Sequence, residues 1–331
     1  MGYAIDYLCE ANTTILGRKG SINNPQFITE RFWNVDTAFG IFAKNGNDSK
    51  FIYYFIKSID WSKKNTGTTL PSLTQQVVKS VELSVPPLAE QERIVVRLDA
   101  AFAQIDELKS NAEKQLAEAR ALFQSALTQA MQPKPGWQEK KLKEIGLTQT
   151  GTTPSKSDKS NYGDFIPFIR PSEIDFDGCG GINYDCEMKL SEKGLSIGRL
   201  FKKHSVLMVC IGATISKVGF STQDISCNQQ INVLYPCDKY HYKYIYYAMR
   251  NDDFKRKVIK EGTSAQATLP IINKSKWENL TLFVPDIEEQ QRISNYLDSL
   301  ASSVSELEEI SRKTAADCDA MKQALLRQIF E

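Results

Sequence analysis

The stretch TLPSLTQQVVKSVELSVPPLAEQERI, residues 69–94, decides the fold because it returns as TLPIINKSKWENLTLFVPDIEEQQRI at residues 268–293. The two segments align without a gap and share Thr-Leu-Pro at the start, Val-Pro in the middle and Glu-Gln-x-Arg-Ile at the end. Their offset of about 199 residues is far longer than the period of a solenoid. The repeat therefore predicts a duplicated unit in which a globular domain is followed by a long helix.

Each copy of the repeat continues into a long amphipathic segment. Apolar or small residues recur there at alternating spacings of three and four, the a/d pattern of a coiled coil. In the first helix the predicted seam is Ile94, Leu98, Ala101, Ile105, Leu108, Ala112, Ala119, Leu122 and Ala126, with Gln115 as a polar break. In the second it is Ile293, Leu297, Leu300, Val304, Leu307, Cys318, Met321 and Leu325, with Ser311 and Thr314 as polar positions. We expect the two helices to pair with each other, in an orientation that these residues leave open.

These features divide the chain into four segments. We predict a first globular domain over residues 1–87, a first long helix and linker over 88–134, a second domain over 135–286 and a second long helix over 287–331. Gly17 aligns with Gly212, so we expect the first domain to lack its N-terminal third to half. Short β-rich runs separated by Gly, Asn, Asp and Ser predict mixed α/β domains.

Within the second domain, the β-rich runs are residues 165–169, 205–211 and 231–235, and a helix is predicted over about 242–260. That helix contains Tyr244, Tyr246 and Tyr247. We expect these aromatic side chains to pack in the core rather than to stack on bases.

The composition is that of a water-soluble globular protein, with 41% hydrophobic and 24% charged residues and a mean hydropathy of −0.36. No apolar run is long enough to span a bilayer and no signal pattern opens the chain. Seven cysteines without a CxxC pair favour reduced thiols and a cytoplasmic location. The predicted globular segments carry net charges of +2 and +4 and the helices −1 and −4, a weak indication that the globular domains meet an anion.

Motifs that would carry catalysis are missing from the sequence. It contains no GxxxxGK[ST] or GxGxxG loop, no HExxH and no Cys/His metal spacing, and its two histidines lie without a nucleophile elbow. The segment Asn24-Pro25-Gln26-Phe27 resembles the catalytic loop of adenine methyltransferases but lacks the second proline, so we interpret it as a turn. We predict that the chain is not an enzyme and holds no metal or cofactor.

Loop-borne basic, hydroxyl and amide residues in the two domains are candidates for contact with nucleic acid. Glycines flank some of them, and glycine lets the backbone approach a partner closely. Asparagine and glutamine amides can read adenine edges, while Lys, Arg and Thr suit phosphates. The candidates are Arg18, Lys19, Thr152, Thr153, Lys156, Arg170, Lys202, Lys203, Asn228, Gln229 and Gln230. Each also has a structural interpretation; residues 228–230, for instance, lead into a strand.

Together these segments resemble the specificity subunit of Type I restriction–modification systems. The resemblance rests on the doubled repeat, on GWQEKKLKEI at 136–145, GTTPSK at 151–156 and IGATISKVGF…SCNQQINVLYP at 211–236. LGRKGSI…FWNVDTAFGI at 16–41 is similar to another version of the last run.

The resemblance implies an α+β protein with two target recognition domains and two long helices paired as an antiparallel coiled coil. Each domain would read one half of a split double-stranded DNA target, and the helices would set the spacer. Two DNA methyltransferase (modification) subunits would dock on the chain, and restriction/translocase subunits would join through them. S-adenosylmethionine, ATP and Mg would be bound by those partners.

The repeat itself supplies the candidate scaffold and partner-binding residues. They are Glu90, Gln91, Arg93, Leu98, Ile105, Leu108, Glu289, Gln290, Arg292, Leu297, Val304 and Leu307. An alternative is a coiled-coil interaction protein that binds partner subunits but no DNA. Salt-dependent affinity for duplex DNA would distinguish the two.

Overall fold

The computed structural model describes residues 6–44, 46–175, 180–262 and 269–331. Cys179 and Thr268 lie outside the described residues. The chain forms two compact units, one made of Met1–Lys114 with Ile310–Glu331 and the other of Gln115–Glu309. Among the described residues, no helix combines the length and apolarity that a membrane span requires.

The first unit is built on a three-stranded antiparallel sheet in the order β2-β1-β3. Its core packs the sheet against a short helix and is centred on Leu16, Trp61 and Leu73, all 2% exposed or less. The elements are β1 (Thr13–Gly17), β2 (Gln26–Ile28), β3 (Ala38–Ile41), α1 (Ser49–Ser58), a 3-10 turn (Trp61–Lys64), α2 (Gln75–Lys79) and α3 (Leu88–Ala130), whose residues from Gln115 onward belong to the other unit.

The second unit combines several small sheets with helices. The four-stranded antiparallel sheet has the order β5-β11-β8-β9, and β10-β6-β7 and β12-β4 form two further sheets. The elements are β4 (Gln138–Lys141), α4 (Leu142–Ile145), β5 (Gly146–Thr150), a 3-10 turn (Lys159–Asn161), β6 (Tyr162–Ile169), β7 (Lys189–Leu190), α5 (Glu192–Ile197), β8 (Val206–Val209), β9 (Val218–Phe220), β10 (Ser226–Cys227), β11 (Ile231–Pro236), α6 (Tyr242–Arg250), α7 (Asp252–Gly262), α8 (Lys274–Trp277), β12 (Thr281–Val284) and α9 (Ile287–Phe330). The mixed α/β fold class is confirmed.

The single helix predicted over 242–260 is wrong, because the chain breaks at Asn251. This residue is extended (φ −60°, ψ 141°), and its backbone N–H donates to the Tyr247 carbonyl and ends α6. Its own carbonyl accepts from Lys255 N–H, which begins α7. Tyr244, Tyr246 and Tyr247 are 0–2% exposed, so their predicted place in the core is confirmed.

The two long helices pair in antiparallel orientation within each unit. In the first unit Lys109 Nζ lies 3.4 Å from Asp319 and Lys322 Nζ 2.5 Å from Asp106, so residue numbers rise along α3 as they fall along α9. In the second unit Arg120 binds Glu308 at 2.6 Å. Each helix therefore finds its apolar partner in the other, as the matched seams predicted.

The predicted seam of α3 is wrong at two positions, and its alanines and Ile94 are half-buried. Leu98 and Ile105 are buried, but Leu108 and Leu122 are 52% and 71% exposed. A second series of buried or half-buried residues lies one position further along the chain than Ile94, Ala101, Leu108, Gln115 and Leu122. They are Val95, Phe102, Lys109, Leu116 and Phe123.

The polar break predicted in the α3 seam is wrong for the same reason. Gln115 is exposed, and the apolar Leu116 takes the inward position beside it. The sequence has apolar residues both in the predicted seam and one position further along. The contact of Phe102 with Tyr54, 5.4 Å between ring centroids, favours the second series.

In α9 the predicted seam agrees with burial from Ile293 to Cys318. Leu297 is fully buried, Val304 and Leu307 are half-buried, and the polar position Ser311 is 9% exposed. Met321 is wrong, since it is 50% exposed, and the half-buried Lys322 beside it faces α3 and pairs with Asp106.

A four-residue set fastens the short helix of each unit to its long helix, and we call it the clamp. In the second unit Gln290 Oε1 accepts from the backbone N–H of His241 at 2.9 Å, and Asp298 accepts from Lys243 at 2.5 Å and from Tyr247 at 2.8 Å. Gln290 Nε2 also donates to the carbonyl of Pro285 at 2.9 Å.

The first unit repeats the clamp with Gln91, Lys50, Tyr54 and Asp99. Gln91 Oε1 accepts from Asp48 N–H at 2.9 Å, and Gln91 Nε2 donates to Pro86 at 2.8 Å. Asp99 accepts from Lys50 at 2.7 Å and from the Tyr54 hydroxyl. Burial, followed by the bond to the carboxylate, raises the pKa of both tyrosines well above its usual value.

The structure also corrects the alignment of Gly17 with Gly212. Gly20 N–H donates to Pro71 O at 2.8 Å and Gly212 N–H to Pro270 O at 3.1 Å, so Gly20 is the counterpart of Gly212. Both have positive φ, +78° and +101°, which glycine adopts without strain.

Candidate nucleic-acid interface

Strand register in the second unit brings four connecting segments to one edge. β5 ends at Thr150 opposite Asn232, and β8 ends at Val209 opposite Ile231, near the start of β11. β6 ends at Ile169 beside Cys227 of the parallel β10. Residues 151–156, 170–171, 211–217 and 228–230 therefore emerge together, and we call them the loop edge.

Backbone hydrogen bonds fix two of these segments to each other. Gly151 N–H donates to Ile231 O at 3.0 Å and Thr152 N–H to Cys227 O at 2.9 Å. A Cβ on Gly151 would lie 2.1 Å from the Asn228 carbonyl oxygen, so only glycine allows this approach. The Thr153 hydroxyl then donates to Gln229 Oε1, which ties the side chains of the two segments together.

The three amide residues have different environments. Asn228 and Gln230 are half-buried and hold each other, with Asn228 Nδ2 to Gln230 Oε1 at 2.9 Å and Gln230 N–H to Asn228 Oδ1 at 3.1 Å. Gln229 is exposed at the tip of the turn. The geometry makes Asn228 and Gln230 turn formers and leaves the Gln229 amide to face a ligand.

The loop that carries Lys156 is held from beneath. Pro154 is buried, the Tyr162 hydroxyl donates to its carbonyl at 2.7 Å, and Asn161 Nδ2 donates to Ser155 O at 3.1 Å. Lys156 itself is exposed, and the described contacts include no ion pair for its ammonium group. A fixed backbone with an outward cation suits contact with phosphate.

Arg170 also lies at the loop edge, but its charge is matched within the chain. Its guanidinium contacts Glu173 at 2.8 Å and Glu187 at 3.9 Å. Burial acts to raise the pKa of Glu173, but hydrogen bonds from Arg170 and Ser172 outweigh it and hold the pKa below its usual value. Arg170 therefore braces its turn and is a weaker candidate for contact with an anion.

Lys202 and Lys203 lie at the opposite end of the sheet from the other candidates. They precede Val206, which pairs with Leu234 far from the start of β11. Lys202 Nζ binds Asp224 at 3.0 Å, and Lys203 N–H donates to the same carboxylate at 2.9 Å. The hydrogen bond from Lys202, with that from the Lys203 backbone, lowers the pKa of Asp224.

Arg18 and Lys19 belong to the first unit. Both are exposed after β1, where Arg18 Nη1 donates to the Asp36 carbonyl at 3.3 Å and Lys19 pairs with Ser72 in an isolated bridge. They occupy the position that Cys210 and Ile211 hold in the second unit.

Sequence reasoning missed two cations at the loop edge. Arg199 is exposed and donates through Nη1 to Thr150 O at 2.6 Å, and Lys217 lies 3.5 Å from Pro171 O. Arg199 stands in the same basic run as Lys202 and Lys203, and only its hydrogen bond to Thr150 O shows that it reaches this edge.

Among the described residues, no group of three or more His, Cys, Asp or Glu side chains is arranged to hold a metal. Burial raises the pKa of the nearby Cys210 thiol to about 12, so this thiol is protonated at neutral pH.

The scaffold candidates of the repeat separate into two kinds. Gln91 and Gln290 are 1% exposed and belong to the clamps. Glu90 with Arg93 and Glu289 with Arg292 form ion pairs at 2.8 and 2.5 Å, in which the arginines are exposed and the glutamates half-buried. Glu289 also lies 3.6 Å from Lys134.

Comparison with known proteins agrees with this architecture. Residues 1–118 and 134–315 match the family described as Type I restriction modification DNA specificity domain, and the chain belongs to that family.

Individual relatives are distant. The chain is 29% identical over 195 residues to the Type I restriction enzyme MjaIX specificity subunit of Methanocaldococcus jannaschii, a match that covers 55% of this chain and 42% of the relative. The chain thus spans less than half the length of this curated relative.

Solved structures share the fold. A chain from a study of assembly and conformational transition of the type I R-M system matches 96% of this chain and 81% of its own length, with a TM-score of 0.77 and 20% identity. The HsdS subunit from Thermoanaerobacter tengcongensis matches 97% and 81%, with a TM-score of 0.58 and 20% identity.

Proposed function

We propose that this chain is a non-catalytic specificity subunit that binds double-stranded DNA in a sequence-dependent manner through the loop edge of its second unit. The observation that carries the proposal is the convergence of Thr152, Thr153, Lys156 and residues 228–230 on one end of one sheet. Membership of the specificity-domain family supports it.

Different residues of the loop edge would contribute affinity for the DNA backbone and recognition of the bases. Lys156 and Arg199 present cations that neutralise phosphates, a contribution that depends on salt and not on sequence. Gln229 presents an amide whose donor and acceptor fit the N7 and N6 of adenine in the major groove. Thr153 holds that amide through Oε1, which restricts its rotation before DNA arrives.

We further propose that the chain recruits DNA methyltransferase (modification) subunits, and through them restriction subunits. S-adenosylmethionine, ATP and Mg would be bound by those partners. The Glu90–Arg93 and Glu289–Arg292 pairs occur once in each copy of the repeat and offer two similar contact points. Two similar contact points are what a pair of identical partner subunits requires.

The proposal is tested by selecting duplexes from a random-sequence pool with the purified full chain. Selection should enrich a short motif, and Gln229→Ala should relax the preference at one base pair at a cost of about 1–3 kcal/mol. Lys156→Ala should weaken binding to all sequences and reduce the salt slope by about 1.

Lys203→Ala is the matched control, since this exposed lysine lies at the opposite end of the sheet. If Lys156→Ala and Lys203→Ala lowered the affinity for DNA equally, the proposal that the loop edge binds DNA would be contradicted. Binding of a methyltransferase partner without any enriched motif or salt dependence would favour the interaction protein that lacks DNA readout.

A further inference from the structure

A loop of the first unit, residues 65–72, is held in one shape by its own hydrogen bonds, and we call it the tip loop. Asn65 Oδ1 accepts from the backbone N–H groups of Gly67 at 2.9 Å and of Ser72 at 2.8 Å. A Cβ on Gly67 would lie 2.1 Å from the Leu70 carbonyl oxygen, so only glycine lets the loop fold this tightly. The shape of the tip loop is therefore fixed before any ligand arrives.

Backbone hydrogen bonds fasten the tip loop to the segment that follows β1. Gly20 N–H donates to Pro71 O at 2.8 Å, and Leu73 N–H donates to Arg18 O at 2.9 Å. The exposed cations of Arg18 and Lys19 belong to this segment. The tip loop and these two side chains are therefore held beside each other.

The 3-10 turn that precedes the tip loop adds two lysines, Lys63 and Lys64. Trp61 begins this turn, and its backbone N–H donates to Asn23 Oδ1 at 2.8 Å, so the turn is tied to the segment that follows β1. Lys63 Nζ lies 3.9 Å from Asp60, and its side chain is 82% exposed. Three neighbouring segments of the first unit therefore bring basic side chains to one place.

The surface formed by residues 18–24 and 60–72 is cationic, and we call it the tip surface. It contains four basic side chains and one acidic side chain. All four cations are exposed, and the described contacts include no ion pair for Lys19 or Lys64. Exposed cations beside a preformed loop match the phosphates of a nucleic acid backbone.

Leu70 is the large apolar side chain of the tip loop, and it is 54% exposed. The second copy of the repeat has Leu269 at the same position, and that leucine is 52% exposed. The backbone anchor is repeated as well, since Gly212 N–H donates to Pro270 O at 3.1 Å. Contacts with phosphate do not require an exposed leucine, so its presence in both copies indicates a second kind of contact.

We propose that the tip surface is a second contact site for double-stranded DNA, in which Leu70 recognises the methyl group of a thymine in the major groove. This inference rests on the proposed function and extends it to the first unit. The four cations and the exposed hydroxyls of Thr68 and Thr69 would contact phosphates. An apolar contact with the thymine methyl group is one of the ways in which a side chain distinguishes base pairs.

The affinity of the full chain for its selected duplex, measured at several salt concentrations, tests the cations. Lys19→Ala and Lys64→Ala should each weaken binding to all sequences and reduce the salt slope by about 1. Lys44→Ala is the matched control and should leave the slope unchanged. This exposed lysine follows the end of β3 that pairs with the beginning of β1, so it lies at the opposite end of the sheet from Lys19.

Replacement of thymine by uracil in the selected duplex tests Leu70, because uracil pairs like thymine but lacks the methyl group. At one thymine of the motif the replacement should weaken binding of the unmodified chain about fourfold, the loss expected for one buried methyl group. Leu70→Ala should remove this sensitivity. Leu88→Ala, which truncates a leucine that is 43% exposed at the start of α3, is the matched control and should keep it.

Either of two results would overturn the proposal. They are equal salt slopes for the variants at Lys19, Lys64 and Lys44, and a response to uracil that Leu70→Ala does not alter. If Lys19→Ala and Lys64→Ala weakened binding of a methyltransferase subunit while affinity for DNA stayed the same, the tip surface would belong to a protein partner and the proposal would also fail. Failure of the proposed function is a different result, since the unmodified chain would then enrich no motif at all.

Discussion

Gln290→Ala should destabilise the second unit far more than its neighbour Gln291→Ala. Gln290 is 1% exposed and satisfies two backbone groups at once, the His241 N–H and the Pro285 carbonyl, each at 2.9 Å. Alanine leaves both without a partner in a place that water reaches poorly. Each orphaned group costs about 1–3 kcal/mol, so we expect the two together to lower the free energy of unfolding by roughly 2–6 kcal/mol.

Gln291 is exposed on the same helix, so Gln291→Ala carries the same change in helix propensity without the buried bonds. Its effect should stay within about 0.5 kcal/mol. The difference between the two losses of unfolding free energy gives the contribution of the buried hydrogen bonds of Gln290.

The assay combines urea denaturation with hydrogen exchange at the His241 amide. Exchange there should accelerate in Gln290→Ala because the amide loses its acceptor, and it should be unchanged in Gln291→Ala. In Gln91→Ala the same acceleration should appear at Asp48. Equal stability of Gln290→Ala and Gln291→Ala, with unchanged exchange at His241, would refute the clamp as a stabilising device.

Three further predictions follow from other features. In urea denaturation, Phe102→Ala should lower the free energy of unfolding by about 3–5 kcal/mol. Leu108→Ala should lower it by less than about 0.5 kcal/mol, because of the two side chains only Phe102 is buried. Equal losses would show that Leu108 faces the other helix, as the sequence predicted. Gly151→Ala should abolish motif selection by forcing apart the two segments of the loop edge, whereas Gly163→Ala, whose Cβ meets only Ser191 at 3.3 Å, should keep it. The free energy of unfolding should fall as the pH drops from 7 towards 5. Burial, and then the charge of Lys243, lower the pKa of His241, while Asp298 opposes this effect and His204 adds to it. The unfolded state therefore binds the proton at a higher pH than the folded state, and protonation favours unfolding. His241→Gln should flatten that slope, and an unchanged slope would assign it to other groups.

Much of the fold was predictable because the repeat carries it. The two long helices, their pairing and the mixed α/β class follow from the period of apolar residues. Which residues of α3 face the other helix could not be predicted in this way, because neighbouring positions such as Ile94 and Val95, or Ala101 and Phe102, are both apolar. The choice depends on Tyr54, a contact 48 residues away in the sequence.

The candidate interface was predictable in residue type but not in placement. Lys202 and Arg199 are equally basic and three residues apart, yet Lys202 lies near the end of the sheet where β8 begins, while a hydrogen bond to Thr150 O holds Arg199 at the loop edge. Residues 228–230 look alike in sequence, and only their hydrogen bonds separate turn formers from the exposed Gln229. Register and side-chain pairing are tertiary properties that a local pattern does not encode.

The discontinuous make-up of the first unit has a consequence for the order of folding. Its clamp includes the bonds of Asp48 with Gln91 and of Tyr54 with Asp99, whose partners are separated by 43 and 45 positions in the sequence. The clamp can therefore form from a short stretch of chain. Its core, however, includes Leu326, fully buried, and Phe330, whose ring lies 5.3 Å from that of Phe51. Closing so long a loop is slow, and residues 310–331 leave the ribosome after residues 115–309 of the second unit. During synthesis the unit that begins first is therefore the one completed last, after the second unit has all of its residues.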